Sequence, residues 1–215
     1  VWAGTGEAWA IRDADQAVQI FFERGPGNWN GASWPHYRYL RQHTQTLDGL
    51  AAFSEPTFRI AYKDSSWDAH AMITSENYFD VIGMGFVLGR GFSAAAGDLN
   101  NPAPEMVLQH ETWVNRFGRN PAIIGSRVEV GSHPFEVVGI ATPGFHGGGA
   151  SRVELWIPAA WNDIIRPDQK TMNNNDACCV ALIGRLRQYT TRATAQAELA
   201  TLNSQFFSSA NQPDS

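Results

Sequence analysis

The sequence predicts an α+β fold of two lobes, a mixed helix/sheet lobe with a smaller strand-rich lobe inserted in it. Three observations predict it. Short strand-like and helix-like runs alternate irregularly, with none of the strand, long helix, strand repeats that a doubly wound sheet requires. Two stretches, 58–74 and 127–140, place β-forming residues on both sides of a short polar turn, as hairpins do. Glycines at 83, 89, 118 and 139 punctuate the middle of the chain where backbones turn or approach closely. The mixed lobe is expected from residues 17–82 and 178–207, and the inserted strand-rich lobe from 83–177. Residues 1–16 read as a linker or ragged N-terminus and 208–215 as a tail.

The elements follow in order. Residues 17–24 (AVQIFFER) are strand-forming and stop at Gly25-Pro26-Gly27. Ser33 can cap a helix and Pro35 is tolerated in its first turn. Tyr37, Leu40, Thr44, Leu47 and Leu50 recur at helical spacing, which predicts helix over 35–52 with a possible interruption at 46–49. A hairpin of strands 58–62 and 67–74 turns at 63–66. A short helix over 76–82 ends at Gly83, and Gly85, Gly89 and Gly91 then break regular structure. After a polar loop over 94–104 come a strand at 105–108 and an amphipathic helix at 110–117, which buries Trp113 and Phe117 and stops at Gly118. The second hairpin pairs 127–130 with 135–140. A glycine-rich loop over 143–151, a strand at 154–157, a mobile polar loop over 164–177 and a buried strand at 179–186 complete the middle. The closing helix, 194–207, puts Ala195, Leu199, Leu202 and Phe206 on one face.

Composition narrows the functional classes. Hydrophobic residues make up 43% and charged residues 17% of the 215 residues, a globular balance. The net charge is −5 and no basic run occurs, which argues against a nucleic-acid partner. No stretch reaches the roughly 18–20 apolar residues needed to cross a bilayer. The start, at Val1, carries no secretory signal, so the chain reads as a soluble piece excised or processed from something longer.

Several motifs then fall in one order. They are Ser75-Glu76-Asn77-Tyr78-Phe79 ending at Gly83, Leu88-Gly89-Arg90-Gly91-Phe92, Val107-Leu108 leading to Trp113 and Arg116-Phe117-Gly118, Ile124-Gly125, Phe135 to Ile140, Pro143-Gly144-Phe145 with Leu155-Trp156-Ile157-Pro158, and Gly184-Arg185-Leu186 with Ala195 to Leu199. Together, over about 33–207, they resemble the MacB-like periplasmic core domain of FtsX-like, ABC-type permeases, closest to the large permeases with duplicated halves. Gln109-His110 and the segment 188–192, which lacks a Pro-Gly turn, depart from the family pattern. The resemblance implies a non-catalytic extracytoplasmic domain at the periplasmic face of the membrane, serving transport or mechanotransmission. The implied partners are transmembrane helices of the parent permease, a separate ATPase, and an extracytoplasmic adaptor or second permease half. The alternative is a free-standing module that binds a sugar-like or peptide-like ligand.

The residues supply no catalytic, cofactor-binding or metal site. His146-Gly147-Gly148-Gly149 could offer oxyanion-hole amides, but the Gly-x-Ser-x-Gly elbow such a site needs is missing. The six histidines, 36, 43, 70, 110, 133 and 146, show no HExxH spacing, and no phosphate-binding Walker loop occurs. His36 and His43, two turns apart, could share a helix face without a third ligand. Acid pairs such as Glu154 with Asp163 have no selective spacing. Arg90 and Arg116 are expected to bond loop carbonyls or a carboxylate. Of the eight tryptophans, those at 2, 9, 29, 34, 67 and 161 lie outside the best-matched segments, where core packing or lobe contact competes with ligand recognition. The adjacent Cys178 and Cys179 read as two half-buried thiols in a strand, since a disulfide between neighbours closes a small strained ring. Contact surfaces, if any, are expected on the loops 94–104 and 164–177.

Overall fold

The computed structural model describes residues 13–23, 29–147 and 152–210. The expected α+β mixture is present. In chain order the strands are β1 (Ala17–Ile20), β2 (Phe22–Glu23), β3 (Trp29–Asn30), β4 (Leu47–Ser54), β5 (Thr57–Tyr62), β6 (Ser65–Thr74), β7 (Phe86–Gly89), β8 (Glu105–Leu108), β9 (Arg127–Val130), β10 (His133–Ala141), β11 (Leu155–Pro158) and β12 (Ala181–Leu186). The helices are α1 (Trp34–His43), α2 (Tyr78–Ile82), α3 (His110–Phe117), α4 (Asn162–Ile165) and α5 (Arg192–Ala210).

Six strands close on themselves in the order β6-β11-β8-β10-β9-β5, with β5 returning to β6. The β6–β11 and β8–β10 pairs are parallel and the other four pairs are antiparallel, so this is a mixed barrel. A wing of β4, β12 and β1 extends from β6. β4 and β5 run along the same partner, Phe53 facing Thr74 and Thr57 facing His70. The chain crosses from wing to barrel between them at Glu55-Pro56, where the Pro56 carbonyl accepts the Ala71 N–H at 2.9 Å.

Side chains alternate between two cores along the strands, as the two-residue strand period requires. Met106, Leu108, Leu155 and Ile157 belong to one cluster, which also takes in Leu40 of α1 and Leu199 of α5. Val107 and Trp156, the residues between them, belong to the other, which α2 covers with Tyr78, Phe79 and Ile82. α5 buries Ala195, Leu199, Leu202 and Phe206, the face read from its spacing.

Close backbone approach explains the LGR motif. Gly89 lies in the left-handed region at φ 69°, and a Cβ there would stand 2.1 Å from the Val138 carbonyl oxygen. A Cβ on Gly139 would stand 2.1 Å from the Arg90 carbonyl oxygen. The two glycines let β7 lie against the second half of β10, a strand that the glycine-rich 83–91 segment does not announce.

Three expectations are corrected. Helix stops at His43, and 47–54 form β4 instead of a second helical piece. Leu47 and Leu50 are both buried in the same cluster at an odd spacing because the ladder with β12 shifts register between Arg185 and Leu186. The polar loop 164–177 starts within α4, and its later part is tied down as described below. Cys178 and Cys179 precede β12 and are both exposed, because the bridge between Val180 and Ala32 starts the regular pairing only after them, and the two are paired with each other as a disulfide. The glycines at 148 and 149, the tryptophans at 2 and 9, and the residues from 211 onward lie outside the described residues, as does the side chain of Trp29.

Candidate functional site

Among the described residues, two clefts and three polar clasps bring together the polar side chains considered for a site. The first cleft, about 330 Å³, opens where β8 runs into α3, and its walls include Gln109, Glu111, Arg116, His146, Arg152 and Glu154. Gln109 organises it. Its Oε1 accepts the Thr112 N–H at 2.9 Å and so caps α3. Its Nε2 lies 3.2 Å from Nδ1 of His146, and its backbone N–H donates to the Glu154 carbonyl at 3.0 Å. The departure from the family pattern at this position is thus a helix cap that also fixes His146. His146, taken from the HGGG segment, meets an amide there, and among the described residues the cleft wall contributes no serine or cysteine to it.

The second cleft, about 270 Å³, lies between α4, the following loop and the wing, with Trp34, Glu55, Asn162, Arg166 and the cysteine pair on its walls. Asp163 anchors the loop. Its carboxylate accepts the Thr171 N–H at 2.9 Å and the Met172 N–H at 3.2 Å, and Met172 is buried beneath. Arg38 of α1 donates to Asn173 at 3.1 Å. Glu154 and Asp163, considered together from the sequence, serve separately: Glu154 accepts the His70 N–H at 3.3 Å.

The 94–104 loop hangs from a charged clasp. Arg90 grips the buried Glu105 through two bonds, Nη2 to Oε1 at 2.8 Å and Nη1 to Oε2 at 3.3 Å, and Ser93 N–H donates to Oε2 at 2.7 Å. Burial pushes the Glu105 carboxyl up, but the bonds from Arg90 and Ser93 outweigh it and hold it below its ordinary value. Arg90 also donates to the Gly91 carbonyl at 2.8 Å, so both expected kinds of partner are present. Arg116 differs: its guanidinium lies 5.0 Å from the Trp67 ring centroid, a cation–π contact.

A second clasp is Arg185, nearly buried in β12. Its Nε donates to Val81 O at 2.9 Å and Nη2 to Ile82 O at 3.1 Å, satisfying carbonyls at the end of α2. A third is Glu198 of α5. It accepts from Thr44 Oγ1 at 2.8 Å, the Gln45 N–H at 2.8 Å, the Thr46 N–H at 3.1 Å and the Thr46 hydroxyl. Burial raises its carboxyl, and these donors together bring it below the ordinary value. Sequence reasoning had Arg185 and Glu198 only as letters of motifs, because their partners lie more than 100 residues away. Ser75 and Asn77 were legible from their motif, and they bond each other at 2.8 Å while Asn77 Nδ2 donates to Leu50 O at 2.9 Å.

His36 is buried and stacks on Phe206 at 4.6 Å between ring centroids, whereas His43 is exposed and stacks on Tyr39 at 4.2 Å, so the two do not converge. Among the described residues no group of three or more His, Cys, Asp or Glu is placed to hold a metal ion. Trp34 and Trp67 are buried, and Trp161 packs on Phe135 at 4.8 Å while its Nε1 donates to Ala103 O at 3.2 Å. Those three tryptophans serve the core and the loop anchor.

A mixed barrel carrying a helix-covered wing, with polar clasps between its elements, defines an α+β domain. The comparisons specify which kind. Residues 7–202 match the family described as the MacB-like periplasmic core domain, and the chain belongs to that family. The macrolide export ATP-binding/permease protein MacB of Escherichia coli O6:K15:H31 (strain 536) is 28% identical over 142 residues, 62% of this chain and 22% of that protein. MacB of Escherichia coli K12 is 32% identical over 101 residues, 46% of this chain and 15% of that protein. The chain therefore spans less than a quarter of the length of these relatives. The periplasmic region of MacB from Actinobacillus actinomycetemcomitans superposes with a TM-score of 0.66 at 16% identity, covering 89% of this chain and 84% of that one. The extracellular domain of the noncanonic ABC-type transporter YknZ from Gram-positive bacteria also gives 0.66, at 15% identity, covering 88% and 94%. Among the described residues no helix is long and apolar enough to cross a membrane.

Proposed function

We propose that this chain is the extracytoplasmic, non-catalytic domain of an FtsX/MacB-like ABC-type permease, and that it transmits motion or contacts partners during transmembrane transport. The observation that carries the reading is the family match over 7–202, with the barrel-and-wing architecture shared by the periplasmic region of MacB. In this reading transmembrane helices of the parent permease flank the domain. A separate ATPase drives the helices from inside, and an adaptor or the second permease half meets the domain outside. Membership of the group with duplicated halves is part of the proposal.

The clasps support a mechanical role. Two states of a transporter differ in contacts between parts, and a rigid part with few defined joints passes displacement from one end to the other. The division into a mixed lobe, 17–82 with 178–207, and an inserted lobe, 83–177, enters as part of the same proposal. The β5–β6 hairpin is the seam, since β6 pairs with β4 of the wing and with β5 and β11 of the barrel. The test is the parent gene. An apolar segment of about 20 residues on each side of the domain is expected. A parent without them overturns the permease reading and leaves the free-standing binding module, for which ligand-induced protection of the two clefts would be the positive sign.

A further inference from the structure

We infer that Cys178–Cys179 is an accessible redox site, opened by thiol–disulfide exchange, whose reduced form chelates a soft, thiolate-seeking electrophile of the trivalent-arsenic class. The inference rests on the placement of the pair and not on the permease reading. Both cysteines are exposed, which distinguishes them from disulfides sealed in a core. Exposed disulfides are the ones that external thiols reach and exchange. They stand on the wall of the second cleft, so an attacking reagent approaches from open space rather than through packed side chains. Arg166 and Glu55, one charge of each sign, line the same cleft.

The flanks keep the change local. On the C-terminal side Val180 exchanges both backbone bonds with Ala32, at 2.9 and 2.8 Å, and a Cβ on Gly31 would stand 2.0 Å from the Val180 carbonyl oxygen. On the N-terminal side the Asp163 carboxylate holds Thr171 and Met172, and Ala177 N–H donates to Asn174 O at 3.3 Å. Opening the pair therefore releases two sulfurs at a rim whose two ends stay fixed.

The step balances as follows. A thiolate of an external dithiol attacks one cysteine Sγ, the S–S bond breaks, and the other Sγ leaves as thiolate. The second thiol of the reagent then displaces the first cysteine, which yields the oxidised reagent and two cysteine thiols after uptake of two protons. The dithiol supplies both electrons. An organic arsenic(III) oxide then condenses with both thiols, forming two As–S bonds and releasing its oxygen as water.

The experiment uses the whole chain, kept folded and in air, with an aromatic disulfide reagent to count thiols. No reactive thiol is expected at first, and two per chain after brief dithiothreitol treatment and desalting. Phenylarsine oxide at one equivalent should then remove both. Cys178→Ser and Cys179→Ser should each show one reactive thiol without any reduction, and the arsenical should fail to protect it after competition with a monothiol. Two reactive thiols before reduction would overturn the disulfide. Thiols that appear only on denaturation would overturn accessibility, and thiols still titratable after the arsenical would overturn chelation. Should a serine variant lose its far-ultraviolet circular dichroism, the wild-type counts decide alone.

Discussion

The barrel and the wing share β6, yet different interactions hold them. Around the barrel each strand has a hydrogen-bonded neighbour on both edges, so breaking one side-chain contact leaves the ladder closed. The wing ends at β1, for which β12 is the neighbour among the described residues, and its helices add polar clasps to their buried apolar faces, Arg185 to the end of α2 and Glu198 to the turn after α1. A closed ladder resists shear, whereas a clasp fails when one group is removed. Under the proposed mechanical role, the difference makes the joints of the wing the places expected to yield first.

The strongest blow should fall on both regions at once. Trp156 of β11 is fully buried and contacts Phe145 and Phe79 with centroids 5.5 and 5.8 Å apart, so it ties the barrel strand to α2. Trp156→Ala is expected to cost about 3–5 kcal/mol, read from urea unfolding, with one transition for the whole domain. A loss under about 1 kcal/mol would mean that the second core is not shared in this way. Next is Gly139→Ala. The new methyl collides with the Arg90 carbonyl, and the barrel alone should lose about 3 kcal/mol. Hydrogen exchange that accelerates in β7 and β10 but not in α5 would sharpen the contrast, and uniform acceleration would blunt it.

Arg185→Met tests the wing. It removes the donors to Val81 O and Ile82 O and leaves buried carbonyls without them, about 2–3 kcal/mol in all. Exchange should quicken in α2 and β12 while β8 to β11 keep their protection. Equal loss in the barrel would refute the idea that the clasp acts locally.

How much of this was legible follows the range of the interaction. Gly83 and Gly118, both left-handed helix ends at φ 68° and 59°, and the two hairpins were readable because turn chemistry and two-residue alternation act within a few residues. The buried face of α5 was readable for the same reason. β4 was misread as helix because Leu47 and Leu50 keep a three-residue step that a register shift makes compatible with a strand. β7 went unseen because its pairing depends on two glycines fifty residues apart admitting each other's backbone. The family motifs gave the architecture, but the roles of Gln109, Arg185 and Glu198 depend on distant carbonyls and amides that no local pattern encodes. The exposure of the cysteine pair escaped for the same reason, since it is set by where the Val180–Ala32 bridge begins.

Charge offers a gentler probe. Glu105 is held below its ordinary carboxyl value in the folded state, so its contribution is present above the unfolded-state value, near 4.3 for a free glutamate, and fades as pH falls through the folded one. Glu105→Gln should therefore lower stability at neutral pH and flatten the acid limb of a stability-against-pH curve. An unchanged acid limb would show that Arg90 and Ser93 do not favour the charged form.

Glu198 gives the smallest effect and the sharpest comparison, because its clasp joins α5 to a turn rather than strand to strand. Its carboxylate collects four donors from three consecutive residues, and two of them are backbone N–H groups just past the end of α1. Glu198→Gln keeps one oxygen acceptor but puts an amide donor against the other donors, so about 1 kcal/mol should be lost. Glu198→Ala leaves those N–H groups to water, which the half-buried turn admits, and should cost little more. Because Glu198 too is held below its ordinary value, the difference between wild type and Glu198→Gln should shrink as pH drops through the folded carboxyl value. Thermal melts at neutral and acidic pH measure it. A Gln variant as stable as wild type at neutral pH would mean that α5 is held by its apolar face alone, and the wing would then be fastened by packing, as the barrel is closed by its ladder.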